Sequence, residues 1–125
     1  MAHQAATYDV VSDGKVSLAI GQDIDHDFPI GLHAKANVGI RSVLSFMIDT
    51  ISSNNLQFRI EIINGSGVTT SIATYTTSST VARVFQEVIS TNTLTLTGNT
   101  LKVRVLGGSG TLEISDIVLL YQRDL

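Results

Sequence analysis

The chain is 125 residues long, has a formal net charge of −3, and has a charged fraction of only 15%. This length predicts a single domain over residues 1–125 with a substantial core, preceded by a mobile tail at residues 1–5. The acidic balance and the scattered basic residues argue against nucleic acid as a partner, because phosphate binding needs clustered lysine and arginine. The absence of cysteine excludes disulfides, thiol nucleophiles and cysteine-based zinc sites.

No apolar run approaches the ~20 residues that a bilayer-spanning helix needs, so the sequence predicts no membrane insertion. The first residues lack the charged and then apolar segments of a signal peptide. We therefore expect a soluble protein without a cleaved signal peptide. The composition does not distinguish a cytoplasmic protein from one that acts outside the cell or on a virion.

The first third of the chain predicts two strands and a long connection. Residues 6–11 and 15–20 alternate apolar with polar side chains, and Asp13-Gly14 between them predicts a hairpin turn. Residues 21–37 show no sustained period and contain Pro29. We expect an edge strand near residues 25–30 of this connection, because sheet edges tolerate proline.

The middle of the chain predicts a buried strand over residues 38–51, with a helix as the weaker alternative because β-branched residues are frequent. A turn is expected at residues 52–55. Clean alternation over residues 56–63 predicts the next strand, with Phe46 and Phe58 in the core. An Asn-Gly pair then predicts a hairpin turn to a threonine-rich strand.

The last third predicts a polar loop near residues 76–80 and a strand over residues 81–90, with a short helix as the alternative. From Thr93 onward, alternation interrupted by glycines predicts several strands joined by tight turns. The inward parity changes between Ile114 and Ile117, which predicts a β-bulge at Ser115-Asp116. About eight strands and no helix indicate an all-β fold: an antiparallel two-sheet β-sandwich, jelly-roll-like.

The concentrated ionisable cluster is Asp23-Ile24-Asp25-His26-Asp27. Calcium takes six to eight oxygen ligands, so Asp23, Asp25 and Asp27 are the candidate metal ligands, and no other cofactor is expected. The EF-hand pattern is not met. The simpler interpretation is a solvated acidic segment that blocks edge-to-edge pairing of the sheet.

Sequence motifs of catalysis are missing. No G-x-S-x-G, H-E-x-x-H, phosphate-binding loop or nucleotide fingerprint occurs, and the strand carboxylates are scattered on polar positions. His26 and His33 do not have the spacing of a cupin-like metal site. We therefore predict a protein that is not an enzyme, and a small metal-dependent enzyme using the Asp-His cluster ranks third.

The segment G-T-L-E-I-S-D-I-V-L-L-Y, from Gly110 to Tyr121, resembles the closing strand of jelly-roll carbohydrate-binding modules and of phage tail-fibre or receptor-binding head domains. The chain departs from the sugar-binding modules in having no tryptophan. The resemblance implies lectin-like or tail-fibre-like recognition of a glycan or cell surface, without catalysis. Because loops on a rigid sandwich usually carry binding residues, the candidate ligand-binding residues are Asp25, His26, Asp27, Asn54, Asn55 and Tyr75.

The strand over residues 38–51 is apolar on both sides, since Val43 and Met47 alternate with Leu44, Phe46 and Ile48. A sandwich strand in a monomer has one wet face, so a second apolar face predicts subunit packing. We expect a homo-oligomer, with a trimer favoured by the viral resemblance. The alternative function is therefore a structural module that self-associates through a sheet face. The other explanation is that residues 21–37 cover this face.

Overall fold

A computed structural model describes residues 4–19, 21, 23–27, 35–77 and 82–125, without the side chains of residues 4, 23–27, 50–54 and 109. These residues form seven strands and no helix: β1 (Gln4–Ser12), β2 (Val16–Ala19), β3 (Asp23–Asp27), β4 (Ser42–Ile63), β5 (Thr69–Thr77), β6 (Arg83–Ile89) and β7 (Thr100–Asp124). Accordingly, no helix that could cross a membrane is found in the described ranges. β1 includes residues 4 and 5, which were predicted as tail, because they pair with Arg123 and Asp124.

Two long strands organise the fold. β4 and β7 pair antiparallel from Val43 opposite Leu120 to Ile63 opposite Thr100. β6 pairs with the first half of β4 and β5 with its second half, while β1, β2 and β3 follow one another along the other side of β7. Each half of the long pair therefore has its own neighbours. Sheet A contains β6, residues 42–50, residues 110–124, β1 and β2; sheet B contains β5, residues 56–63, residues 100–107 and β3.

Aromatic contacts show that the two halves pack face to face. The ring of Tyr75 in sheet B lies 4.7 Å from that of Phe85 and 6.3 Å from that of Phe46, both in sheet A. Phe58 of sheet B is fully buried in the same cluster, as predicted. The all-β, antiparallel two-sheet sandwich is therefore confirmed, and β6 is a strand rather than the alternative helix.

The long strands bend from one sheet into the other at Asn55 and Gly108. Asn55 has a φ of 57° and Gly108 a φ of 83°, and the pairing shifts between Asn54 and Gln57. A Cβ at Gly108 would overlap the carbonyl oxygen of Asn55, so the close approach of the two backbones requires glycine. The turns expected at residues 52–55 and in the glycine-rich segment 107–110 are thus bends within the continuous strands β4 and β7.

The predicted hairpin between residues 6–11 and 15–20 does not form. Within the described residues β1 and β2 both pair with β7, with Val10 opposite Val118 and Val16 opposite Ile114. This alignment places Val11 and Leu18 in the core. Burial against the central strand therefore prevails over the local turn preference of Asp-Gly, since removing apolar surface from water is the larger free-energy gain.

The β-bulge predicted at Ser115-Asp116 is confirmed. Ser45 lies opposite Val118 and Met47 opposite Ser115, so β7 has one residue more than β4 across this interval, and Asp116 has a φ of 52°. The bulge brings both Ile114 and Ile117 into the core. The extra residue changes which positions of β7 face inward, so apolar side chains face the core on both sides of the bulge.

The strand expected at Leu94 and Leu96 is instead an irregular segment. The buried side chain of Asn99 accepts from the backbone N–H of Thr95 at 3.0 Å and donates to its carbonyl oxygen at 2.6 Å. A short amide side chain that satisfies the backbone locally competes with strand pairing. Leu94 is buried and Leu96 is exposed, so alternation of side chains alone did not identify a ladder here.

Candidate functional site

The candidate ligand-binding residues lie in three separate places. Residues 25–27 belong to β3 at one edge of sheet B, and Tyr75 belongs to β5 at the opposite edge. Since β7 and β4 lie between these strands, the edges are about 14 Å apart. Asn54 and Asn55 lie at the bend of β4, with Asn54 opposite Ser109. The structure therefore does not gather the predicted residues into one site.

The acidic residues of β3 lie opposite basic residues of β7. Asp23 pairs in register with Arg104 and Asp25 with Lys102. Residues directly opposite each other in an antiparallel pair share a face of the sheet, and opposite charges there are stabilising. By register, the acidic residues of β3 thus lie next to a basic row of β7.

His26 does not share the face of the aspartates. It lies opposite Leu101, which is fully buried, whereas Asp27 lies opposite Thr100. Successive strand residues belong to opposite faces of a sheet, so the register places His26 on the other face from Asp25 and Asp27. Among the side chains that the structure describes, no group of three or more His, Cys, Asp or Glu residues could hold a metal ion.

The calcium prediction for Asp23, Asp25 and Asp27 leads to a thermal test. We expect about 5 mM calcium to leave the melting temperature unchanged, because Arg104 and Lys102 already stand opposite two of the aspartates. Differential scanning fluorimetry with calcium, and separately with a chelator, measures the effect. A calcium-dependent rise of more than about 3 °C would establish a cation site here.

Two of the three tyrosines contribute their rings to the core. The ring of Tyr75 lies 5.2 Å from that of Phe58, and its hydroxyl donates to Glu87. Tyr121 is buried, and its hydroxyl donates to an Asp9 carboxylate oxygen at 2.9 Å. Only Tyr8, of the three, is highly exposed. Inward strand parity places the rings of Tyr75 and Tyr121 in the sandwich and leaves a carboxylate within reach of each hydroxyl.

The outer face of sheet B carries polar side chains from three adjacent strands. We call it the polar face, and it comprises Gln57, Arg59, Glu61, Thr74, Lys102 and Arg104. Arg59 lies opposite Arg104 on one side and Thr74 on the other, and Glu61 lies opposite Lys102. Side chains from three adjacent strands thus form two neighbouring rows.

Glu61 connects the two rows. Its carboxylate oxygen Oε1 lies 3.5 Å from Nη1 of Arg104 and 3.8 Å from Nη1 of Arg59, and its side chain is only 9% exposed. Arg59 also donates from Nε to Oγ1 of Thr74 at 3.3 Å. Surface ion pairs of this kind contribute at most about 1 kcal/mol each, so their main effect is to orient the guanidinium groups.

The polar face presents oriented hydrogen-bond donors to solvent. The side chains of Arg59 and Arg104 remain 38% and 44% exposed beside the buried carboxylate. Such guanidinium groups donate to hydroxyl, carbonyl or carboxylate oxygens. The alternation over residues 56–63 places Arg59 and Glu61 on the outward side of a strand, but it does not join them to Arg104. That contact depends on the pairing of β4 with β7, which no local pattern reveals.

No protein family model matches this sequence, and no curated protein matches it either. Among solved structures, it is similar to the CBM22-1–GH10 modules of Clostridium thermocellum xylanase 10B complexed with xylohexaose (9% identity, TM-score 0.59, covering 93% of this chain and 24% of that one). It is similar to a family 29 carbohydrate-binding module from Piromyces equi, with 12% identity and a TM-score of 0.60, covering 94% of this chain and 91% of that one. It is also similar to the xylan-binding module CBM15, with 8% identity and a TM-score of 0.60, covering 95% of this chain and 97% of that one.

The lengths covered differ between these structures. The chain spans about a quarter of the xylanase chain but nearly the whole of the two isolated modules. At such low identity the likeness concerns the path of the backbone and not the ligand. The chain therefore has the jelly-roll-like sandwich fold of carbohydrate-binding modules, as the resemblance of its closing strand implied.

Proposed function

We propose that this protein is a non-enzymatic carbohydrate-binding domain that holds a glycan on the polar face. The observation that carries the proposal is the Arg59–Glu61–Arg104 arrangement, in which one buried carboxylate orients two partly exposed guanidinium groups. Sugar hydroxyls both donate and accept hydrogen bonds, so a rigid row of charged groups suits them. The fold shared with carbohydrate-binding modules supports the same conclusion.

Binding without catalysis fits the chemistry of the polar face. Glycoside hydrolysis needs two carboxyl groups flanking the scissile bond, one of them a proton donor. Glu61 is engaged by two arginines, and it is the one carboxylate among the described side chains of this face. Asp25 and Asp27 belong to the same face by register and stay candidate ligand residues, whereas His26, Asn54, Asn55 and Tyr75 lie elsewhere.

The expected affinity is modest. None of the residues that define the polar face is aromatic, so a sugar would be held by hydrogen bonds and not by ring stacking. Each such bond contributes a net ~0.5–1.5 kcal/mol, and four or five of them correspond to a dissociation constant of about 0.1–1 mM. Such weak sites serve polysaccharides or cell-surface glycans well, including those that a tail-fibre domain would meet, because the ligand repeats along a chain.

Glycan binding is tested first on a glycan array and then by ¹H–¹⁵N NMR titration with the array hits and with xylohexaose. We expect chemical-shift changes centred on β4, on residues 100–107 and on β5. Replacing both arginines, Arg59→Ala with Arg104→Ala, should weaken binding at least about tenfold, since it removes two or more hydrogen bonds of ~0.5–1.5 kcal/mol each.

Lys15→Ala is the matched control for these variants. It also breaks a surface ion pair, between Lys15 and Glu113 at 3.3 Å, but it lies on sheet A. Its affinity for the glycan should equal that of the unmodified protein. A blank array together with no shift at about 10 mM oligosaccharide, well above the expected dissociation constant, would reject the proposal.

A further inference from the structure

The outer face of sheet A is apolar across its full width. A row of residues in register runs from Tyr8 in β1 through Leu120 in β7 and Val43 in β4 to Val88 in β6. Three members of this row are strongly exposed: Tyr8 at 65%, Val88 at 58% and Leu120 at 41%. An exposed apolar row across a whole sheet is unlike the single wet face that a monomeric sandwich presents.

Two further rows extend this surface. Val10, Val118, Ser45 and Gln86 form the second row, and Met47 with Val84 begins the third. Val84 and Val10 are again highly exposed. We call the surface the apolar face, and it comprises Tyr8, Val10, Val43, Met47, Val84, Val88, Val118 and Leu120.

The apolar face is large enough for a weak self-associating contact. Four strands about 4.8 Å apart, along which the face extends for about five residues, give a flat area of roughly 300 Å² before side-chain relief is counted. A standard interface buries about 800 Å² per partner, so this face would form the apolar centre of a smaller or wider contact. Burying it would remove the five most exposed of these side chains from water, a gain that favours association.

The charge pattern favours a second copy as the occupant. None of the eight residues that define the apolar face is charged, and the acidic residues Asp49, Glu113 and Asp116 lie at its border beyond Met47. A neutral apolar surface meets its own copy without like-charge repulsion, and a two-fold axis lets the same patch serve both partners. Of the described parts of the connection expected to cover this face, β3 pairs within sheet B, and residues 35–37 bond to the backbone of residues 122–124 at the end of β7.

We propose that a second copy of this chain packs on the apolar face about a two-fold axis. The resulting homodimer buries Tyr8, Val84, Val88 and Leu120 at its centre and directs the two polar faces away from each other. A flat face four strands wide suits this two-fold pairing better than the trimer expected from the viral resemblance, because a trimer needs two different surfaces on each copy.

The oligomeric state tests the dimer directly. Light scattering after size exclusion, from about 5 to about 500 µM chain, should show twice the mass of one chain in the upper part of this range. The double variant Val88→Glu with Leu120→Glu should raise the dimer dissociation constant at least 100-fold, because unpaired carboxylates would be buried. Tyr8→Glu is a second variant on the most exposed residue, in case the double variant does not fold.

Thr69→Glu with Thr76→Glu is the matched control. It adds the same two negative charges at exposed positions of sheet B and should leave the dimer intact. A monomer or a trimer of the unmodified protein throughout the range, or a dimer that the apolar-face variants do not weaken, would overturn the proposal. Glycan titration of the apolar-face variants tests the polar-face proposal independently, because these variants leave the polar face unchanged.

Discussion

Replacing Phe58 with alanine should lower the free energy of unfolding by about 3–5 kcal/mol, the range measured for removal of a buried aromatic ring. Phe58 is fully buried in sheet B, and its ring lies 5.2 Å from Tyr75 and 6.2 Å from Phe85 of sheet A. Truncation therefore removes one of the rings packed between the two sheets and leaves a cavity there. Urea unfolding followed by circular dichroism measures the change.

Val68→Ala is the control for this experiment. Val68 lies between β4 and β5 and is 56% exposed, so its truncation should change the unfolding free energy by less than about 0.5 kcal/mol. A loss of less than about 1.5 kcal/mol for Phe58→Ala would mean that the two sheets close over the vacated space. The aromatic cluster would then not be the centre of the core.

Gly108→Ala should destabilise the fold by about 3–5 kcal/mol, because two costs combine. The positive φ of 83° strains any L side chain. The added Cβ would also overlap the carbonyl oxygen of Asn55, which forces the paired backbones apart at the bend. Thermal unfolding by calorimetry and chemical unfolding by urea should show the same loss.

Gly67→Ala separates the two costs. Gly67 has nearly the same φ, 82°, but no atom lies within 4 Å of the position that its Cβ would take. We therefore expect about 1 kcal/mol at Gly67, which reports the backbone strain alone. Equal losses at the two glycines would contradict the inference that the bend depends on close approach of β4 and β7.

Local patterns predicted most of the core and the fold class. The alternation from Leu56 to Ile62 correctly placed the inner face of sheet B, and the parity change before Ile117 correctly located the bulge. Each inference needs only the period of two of a strand and the cost of exposing apolar side chains. The same alternation failed at Leu94 and Leu96, where Asn99 satisfies the backbone of Thr95 instead of a neighbouring strand.

These local patterns do not predict which strands pair when the strands are distant along the chain. Asp13-Gly14 has the composition of a hairpin turn, yet the strands on both sides of it pair with β7. The polar face was missed for the same reason, since Arg59 and Arg104 meet through the pairing of β4 with β7. The loop residues predicted as a site were chosen by composition, and composition does not specify which of them lie together.

The two proposed roles use opposite outer faces of one small sandwich. The charged groups around Glu61 are on sheet B, and the neutral residues around Leu120 are on sheet A. In the proposed dimer the two polar faces point outward, so one glycan chain or two neighbouring chains could engage both copies. Two weak sites on one particle bind a repeating ligand far more tightly than either site alone.

β4 and β7 also determine how the domain folds and unfolds. Both strands contribute buried residues to sheet A and to sheet B, so neither sheet can separate while the other keeps its hydrogen bonds. Unfolding should consequently be all-or-none instead of sheet by sheet. The first native pairing of these strands joins distant parts of the chain, which places the domain among slow folders of high contact order.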